Sequence, residues 1–382
     1  MGLLSHRAAT DRHGRMTYEV LEDLGATVSV LFTPEHGFDG VAQAEEPVEL
    51  PHGDGEETTT RIVSLYGSNL ASLSPSEEHL ALIDLLVIDL VDVGARYYTY
   101  VWSALLAARA AMKKGIHVVV LDRPNPLSGD PSAVEGLPQQ PEYLSFVGLE
   151  PLPIRHSMTL GEIVAMFVER DGGSLGADGA LGIVGHLGWE RYRTAASWAR
   201  PFIAPSPNMP TLETALVYPG ACLLEGTNLS EGRGTTQPFQ TVGAPHLDGS
   251  LLAQRLIEHG VPGALVRAHT FRPTFGKHQG TVCHGVMLHV IDSGLFRPVA
   301  TYAALIAFAY AQAPERFEFV TRPYEFVTDR LAFDLLAGSD QVRKAILEGR
   351  SVEDIVALIA PVPPELRPDL AEAEARALRA SE

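Results

Sequence analysis

Short, continuous apolar runs alternating with helical patterns constrain this chain more than any other feature. Residues 28–32, 62–66, 85–90, 118–121 and 182–187 are each strand-sized and rich in Val, Ile and Leu. Runs without polar alternation suit strands buried on both faces. Between them the spacing predicts helices over 16–24, closed by Gly25, over 77–83, and over 97–114, closed by Gly115. Lys113 and Lys114 strengthen that last stop, because cations favour the negative end of the helix dipole and glycine accepts the left-handed cap. The alternation specifies an α/β fold: an open, mainly parallel sheet with helices on both faces. Ligands of such sheets bind beyond the carboxyl ends of the strands, so strand exits are where chemistry is to be sought.

At 382 residues the chain exceeds what one hydrophobic core organises, so two units are expected. A Pro/Asn/Gly-rich passage, 201–210, marks the boundary, giving a first domain over 1–200 and a second, mixed α/β domain over 201–382. In the second, 281–291 alternates like a strand, 302–312 has helical spacing, and an Ala/Glu/Arg-rich helix follows Asp369. Apolar content of 46% and charged content of 20% supply an ordinary core, while a net charge of −18 disfavours nucleic acid as a partner. Cys222 and Cys283 cannot form a disulfide framework, and no run is long enough to span a membrane.

Three first-half strands leave into polar, rigid exits. The first is Thr33-Pro34-Glu35-His36-Gly37. Proline and glycine fix the turn, so Glu35 is either a pre-positioned general acid or a helix cap, with His36 beside it. The second is Asp92-Val93-Gly94-Ala95-Arg96-Tyr97-Tyr98-Thr99-Tyr100. It reads either as a sugar-binding rim, tyrosine having an apolar face and a hydroxyl, or as an Asp92–Arg96 pair over core tyrosines. The third is Asp122-Arg123-Pro124-Asn125-Pro126, a polar contact or a structural salt bridge.

The second half adds Ser206-Pro207-Asn208-Met209-Pro210-Thr211 and the run Glu225-Gly226-Thr227-Asn228-Leu229-Ser230-Glu231-Gly232-Arg233-Gly234-Thr235-Thr236. Its density of glycine and hydrogen-bonding groups suits a functional loop or a solvated turn, and Glu231 is its candidate second carboxylate. Arg155-His156 and Lys277-His278 are weaker candidates. Gly172-Gly173-Ser174-Leu175-Gly176 matches GxSxG but follows a helical pattern, the wrong context for a nucleophile elbow. GxGxxG, P-loop and HExxH motifs are absent, so no cofactor or metal is implied.

The five motifs, in this order, resemble those of the bacterial exo-β-N-acetylmuramidases, glycoside hydrolase family 171 (NamZ), over about residues 2–338. The resemblance implies a Rossmann-like domain followed by a second α/β domain, with the active site in the cleft between them. It also implies release of terminal N-acetylmuramic acid from the non-reducing end of peptidoglycan fragments. Glu35 matches the family's proposed catalytic glutamate. His36, Asp92, Arg96, Tyr97, Asp122, Arg123, Asn208, Glu231 and Arg233 become candidates to line the cleft.

Cleaving a β-glycoside needs a proton for the leaving oxygen and a group to meet the oxocarbenium-like carbon. Glu35 fits the first role. Glu231 or the substrate's own 2-acetamido oxygen fits the second. Arg96, Arg123 or Arg233 would clasp the lactyl carboxylate, which guanidinium fits bidentately. A carbohydrate-binding protein without turnover and a cell-wall amidase or esterase are the rival expectations. Two departures stand out. Relatives have an Asn/Thr-rich turn after the first strand, where this chain has His6-Arg7-Ala8-Ala9. Many also have an export signal or lipid anchor, which this sequence does not show, giving either a cytoplasmic protein or one whose leader precedes Met1.

Overall fold

The structure is a computed structural model that describes residues 1–43, 46, 60–198 and 200–382. Its larger sheet contains β1 (Gly2–Ser5), β2 (Val30–Thr33), β3 (Arg61–Ser64), β4 (Leu85–Asp89), β5 (His117–Leu121) and β6 (Leu181–Val184). Their spatial order is β3-β2-β1-β4-β5-β6, and every neighbouring pair is parallel. The order reverses between β1 and β4, the topological switch point of a doubly wound sheet.

Alternate residues of each strand feed opposite faces. Leu4, Phe32, Ile88 and Val120 join one core with the helix Tyr100–Lys113, whose buried side includes Trp102, Leu105 and Ala108. Leu3, Leu31 and Val87 form a smaller cluster on the other face, where Tyr18 and Leu21 of the helix Thr17–Asp23 pack. Helices therefore cover both faces, which is why the strands lack polar alternation.

Several boundaries differ from the sequence expectation: the helix expected over 77–83 is Glu77–Leu80, and the one expected over 302–312 starts at Pro298. The last strand of the sheet ends at Val184, and residues 185–187 leave it, with Leu187 95% exposed. The helix expected from residue 97 begins at Tyr100, because residues 95–98 form a tight turn in which the Tyr98 amide bonds the Ala95 carbonyl at 2.9 Å.

The second half holds β7 (Thr241–Ala244), β8 (Ala264–Phe271) and β9 (Cys283–Val290), an antiparallel sheet in the order β7-β9-β8. The helix Gly249–His259 packs on β8 and β9, and Pro298–Gln312 packs on Leu212–Ala221. The last helix, Leu370–Ser381, returns to β6 and the helix Leu160–Arg170, where Arg376 pairs with Glu169 at 2.6 Å. Among the described residues no helix is long and apolar enough to cross a membrane.

Candidate active site

Glu35 stands two residues past the end of β2, 5% exposed. The turn that carries it closes through the Gly37 amide on the Pro34 carbonyl at 3.1 Å. His36 takes φ 70°, a left-handed conformation that costs a residue with a side chain of order 1 kcal/mol. Its Nδ1 lies 2.7 Å from the Ala42 carbonyl oxygen, which helps to hold it there. The Tyr100 hydroxyl bridges the carbonyls of Glu35 and Pro205 at 3.2 and 2.9 Å, fastening the turn to the start of the second half. Thr99 occupies the N-cap of the helix Tyr100–Lys113, yet its hydroxyl makes no capping bond. Instead it donates to Glu35 Oε2 at 2.7 Å.

Glu35, His36 and Tyr97 form one side of a cavity of about 40 Å³, and Asn208, Glu225 and Arg233 of the second half contribute to the other. Tyr324 and Glu325 complete it. Arg233 organises the charged side: Nη2 meets Glu225 Oε1 at 2.7 Å, Nε meets Glu231 Oε1 at 3.3 Å, and the guanidinium lies 5.1 Å from the Phe239 ring centroid. Burial would lower its pKa, but Glu225 and Glu231 together hold it above the ordinary arginine value. Lys277 Nζ reaches Glu231 Oε2 at 3.0 Å and the Leu224 carbonyl at 2.8 Å. Burial pushes the Glu231 carboxyl up, but Lys277 and Arg233 outweigh it and hold the carboxyl below its usual value. Asn208 Nδ2 donates to Gln43 Oε1 at 2.7 Å.

The expected cleft residues divide into groups. Glu35, His36, Tyr97, Asn208 and Arg233 share this cavity, whereas Glu231 is turned away from it onto Lys277 and Arg233. Asp92, Asp122 and Arg123 instead border a second cavity, about 830 Å³, at the exits of β1, β4, β5 and β6. There Arg123 pairs with Asp89 and donates to the Thr10 carbonyl at 3.0 Å. Asp122 accepts from Thr159 Oγ1 at 2.6 Å and the Gly161 amide at 2.8 Å, fixing the start of the helix Leu160–Arg170. Burial lifts the Asp92 carboxyl to about 7, against the hydrogen bond it accepts from the Gly94 amide at 2.8 Å.

Arg96 borders neither cavity and is fully buried. Its guanidinium donates to the carbonyls of Leu137, Leu152 and Leu336 at 2.8, 2.9 and 2.5 Å. The expectation that it lines the cleft is corrected: it ties three chain segments together, and it does not pair with Asp92, which lies near His156. Arg155 and His156 are likewise buried, Arg155 donating to the Leu127 carbonyl and His156 Nδ1 accepting from the Met158 amide. After the first strand, His6 Nε2 accepts from the Val91 amide at 3.1 Å, and burial lowers its pKa to about 3. A neutral, enclosed imidazole there has a packing role.

Sequence reasoning passed over Thr99, Ser206, Tyr218, Glu225, Tyr324 and Glu325, all in the walls of the Glu35 cavity. Thr99, Ser206 and Glu225 lay inside the quoted motifs. Tyr324 and Glu325 had only Arg322-Pro323 before them as a turn signal.

The family described as Exo-beta-N-acetylmuramidase NamZ, N-terminal, matches residues 1–213, and its C-terminal counterpart matches 216–362. The peptidoglycan beta-N-acetylmuramidase NamZ of Bacillus subtilis (strain 168) is 40% identical over 357 residues, covering 93% of this chain and 82% of that protein. Two solved DUF1343 family proteins from Bacteroides fragilis NCTC 9343 share the fold. One has a TM-score of 0.81 at 25% identity and the other 0.68 at 26%, each covering 99% of this chain and 92% of the relative.

Proposed function

This chain belongs to the exo-beta-N-acetylmuramidase NamZ family, and from that membership we propose that it is an exo-acting glycoside hydrolase releasing terminal N-acetylmuramic acid from the non-reducing end of peptidoglycan fragments. The observation that carries the reading is Glu35. It is a nearly enclosed carboxyl, oriented by the Thr99 hydroxyl at 2.7 Å, in a cavity walled by both halves of the chain. We assign those halves to 1–200 and 201–382.

Glu35 acts as general acid. Its proton goes to the glycosidic oxygen as the bond from that oxygen to the anomeric carbon breaks, and the electron pair leaves with the oxygen. Thr99 holds the carboxyl in place, and burial limits competing proton exchange with bulk water. Of the three arginines considered for the lactyl carboxylate, only Arg233 borders this cavity, so arginine recognition of muramic acid reduces to that residue.

The test is incubation with a chromogenic β-N-acetylmuramide beside the corresponding glucosaminide and a muramyl peptide. Release from the muramide alone supports the reading. Binding without release would make this a carbohydrate-binding protein, and amide cleavage an amidase.

A further inference from the structure

We infer that Glu225, not Glu231, is the anionic group that meets the developing positive charge at the anomeric carbon. This rests on the glycosidase reading above and supplies its second catalytic group.

A carboxylate in that role must face the space the sugar enters and must carry a charge that the fold tolerates. Among the described residues, Glu35, Glu225 and Glu325 are the carboxylates in the cavity wall. Glu231 is not, and both its oxygens are turned to cations, Oε1 to Arg233 at 3.3 Å and Oε2 to Lys277 at 3.0 Å. Glu225 arrives from the second half of the chain, on the turn Cys222–Gly226 that follows the helix Leu212–Ala221, whereas Glu35 arrives from the exit of β2. The two carboxylates thus enter one cavity from independent scaffolds.

Glu225 is also held as a reacting group must be. Oε1 accepts from Arg233 Nη2 at 2.7 Å, and Oε2 accepts from the Tyr324 hydroxyl at 2.6 Å. Two donors fix its plane but leave carboxylate lone pairs for a substrate. Glu231 and Lys277 act one step behind, as the counter-charges that keep Arg233 in position. Glu325 accepts from the Tyr66 hydroxyl at 3.1 Å, a contact that ties the turn carrying it to the strand β3 side of the chain.

The same wall includes a further polar group, the Tyr97 hydroxyl. Among the described residues the buried Tyr97 hydroxyl has no hydrogen-bond partner, although Tyr97 borders the cavity. A buried phenol normally finds a partner, and in a cavity of about 40 Å³ one polar group of a ligand, or one water, supplies it.

The experiment compares wild type with Glu225→Ala, Glu225→Gln, Glu231→Ala and Glu325→Ala in the full chain. All act on an aryl β-N-acetylmuramide, with and without sodium azide. Azide fits the space of a deleted carboxylate. There its nitrogen bonds the anomeric carbon as the aryl oxygen leaves with the electron pair. For Glu225→Ala we expect kcat to fall by about 10³-fold. We expect azide to restore it roughly tenfold or more, with a glycosyl azide seen by mass spectrometry. Glu225→Gln, which keeps the shape of the side chain, should lose kcat similarly with KM within a few-fold. Activity of both variants within roughly tenfold of wild type overturns the inference. So does a loss that azide leaves unrestored, or an azide adduct formed by Glu231→Ala or Glu325→Ala instead. A wild-type protein that releases no aryl group defeats the glycosidase reading itself, which is a different result.

Discussion

Thr99 donates its hydroxyl to the Glu35 carboxylate at 2.7 Å, although it sits at the N-cap of a helix whose amides it leaves uncapped. An N-cap hydroxyl ordinarily stabilises its helix by about 1 kcal/mol. Here that contribution is given up to orient a carboxyl. Thr99→Val should therefore reduce kcat roughly 10- to 100-fold, the range for losing a hydrogen bond to a charged group, with little change in thermal stability. A variant with wild-type kcat would make the contact incidental.

Removing the proposed acid tests the chemistry more directly. Glu35→Gln should cost about 10²- to 10⁴-fold on a natural disaccharide fragment, whose leaving oxygen needs protonation. The loss should be much smaller on an aryl glycoside with an acidic leaving group, which departs without that proton. Equal losses on both substrates in steady-state assays would count against the acid role.

Lys277 supports the charged side of the cavity. Lys277→Met leaves the buried Glu231 carboxylate with Arg233 alone, and unfolding free energy should fall by about 3 kcal/mol. Adding Glu231→Gln should recover part of it. Urea titration of the two single variants and the double variant measures that coupling.

Arg96 should prove structural. Arg96→Met strands three carbonyls that now share one guanidinium, and should cost about 3 kcal/mol or more. In the fraction that folds, preference for muramic over glucosaminyl substrates should be unchanged. The same preference should survive Arg123→Met, whose guanidinium is paired with Asp89, and should narrow in Arg233→Lys.

Asp92 sets a pH dependence. Its carboxyl is raised by burial from the ordinary 3.8 to about 7, so the fold favours the protonated form. The stability this provides is full below the unfolded value and is lost as pH rises through the folded one. Asp92→Asn cannot ionise. Thermal melts between about pH 5 and pH 8 should show a smaller decline for the variant than for wild type, and the variant should be the more stable at the upper end.

The strand runs and the ordered motifs made the α/β architecture and the family legible before any coordinates, because both are local properties. Burial on two faces writes itself into consecutive residues such as Val118–Val120, and a strand exit such as Thr33 to Gly37 carries its own turn chemistry. Which exits converge is not local. Asp122 and Arg123 look like Glu35 in sequence, polar residues beside a proline at a strand end. The sheet order places them across the switch point from β2, where one secures a helix and the other pairs with Asp89. Arg96 could not be distinguished from a substrate-binding arginine until Leu137, Leu152 and Leu336 were seen around it. Glu225 and Glu231, six residues apart, differ only in direction: one faces the cavity, and the other faces Lys277, a residue from a distant loop. Residue type and spacing determined which groups are chemically capable. The packing of the two halves decided which of them meet.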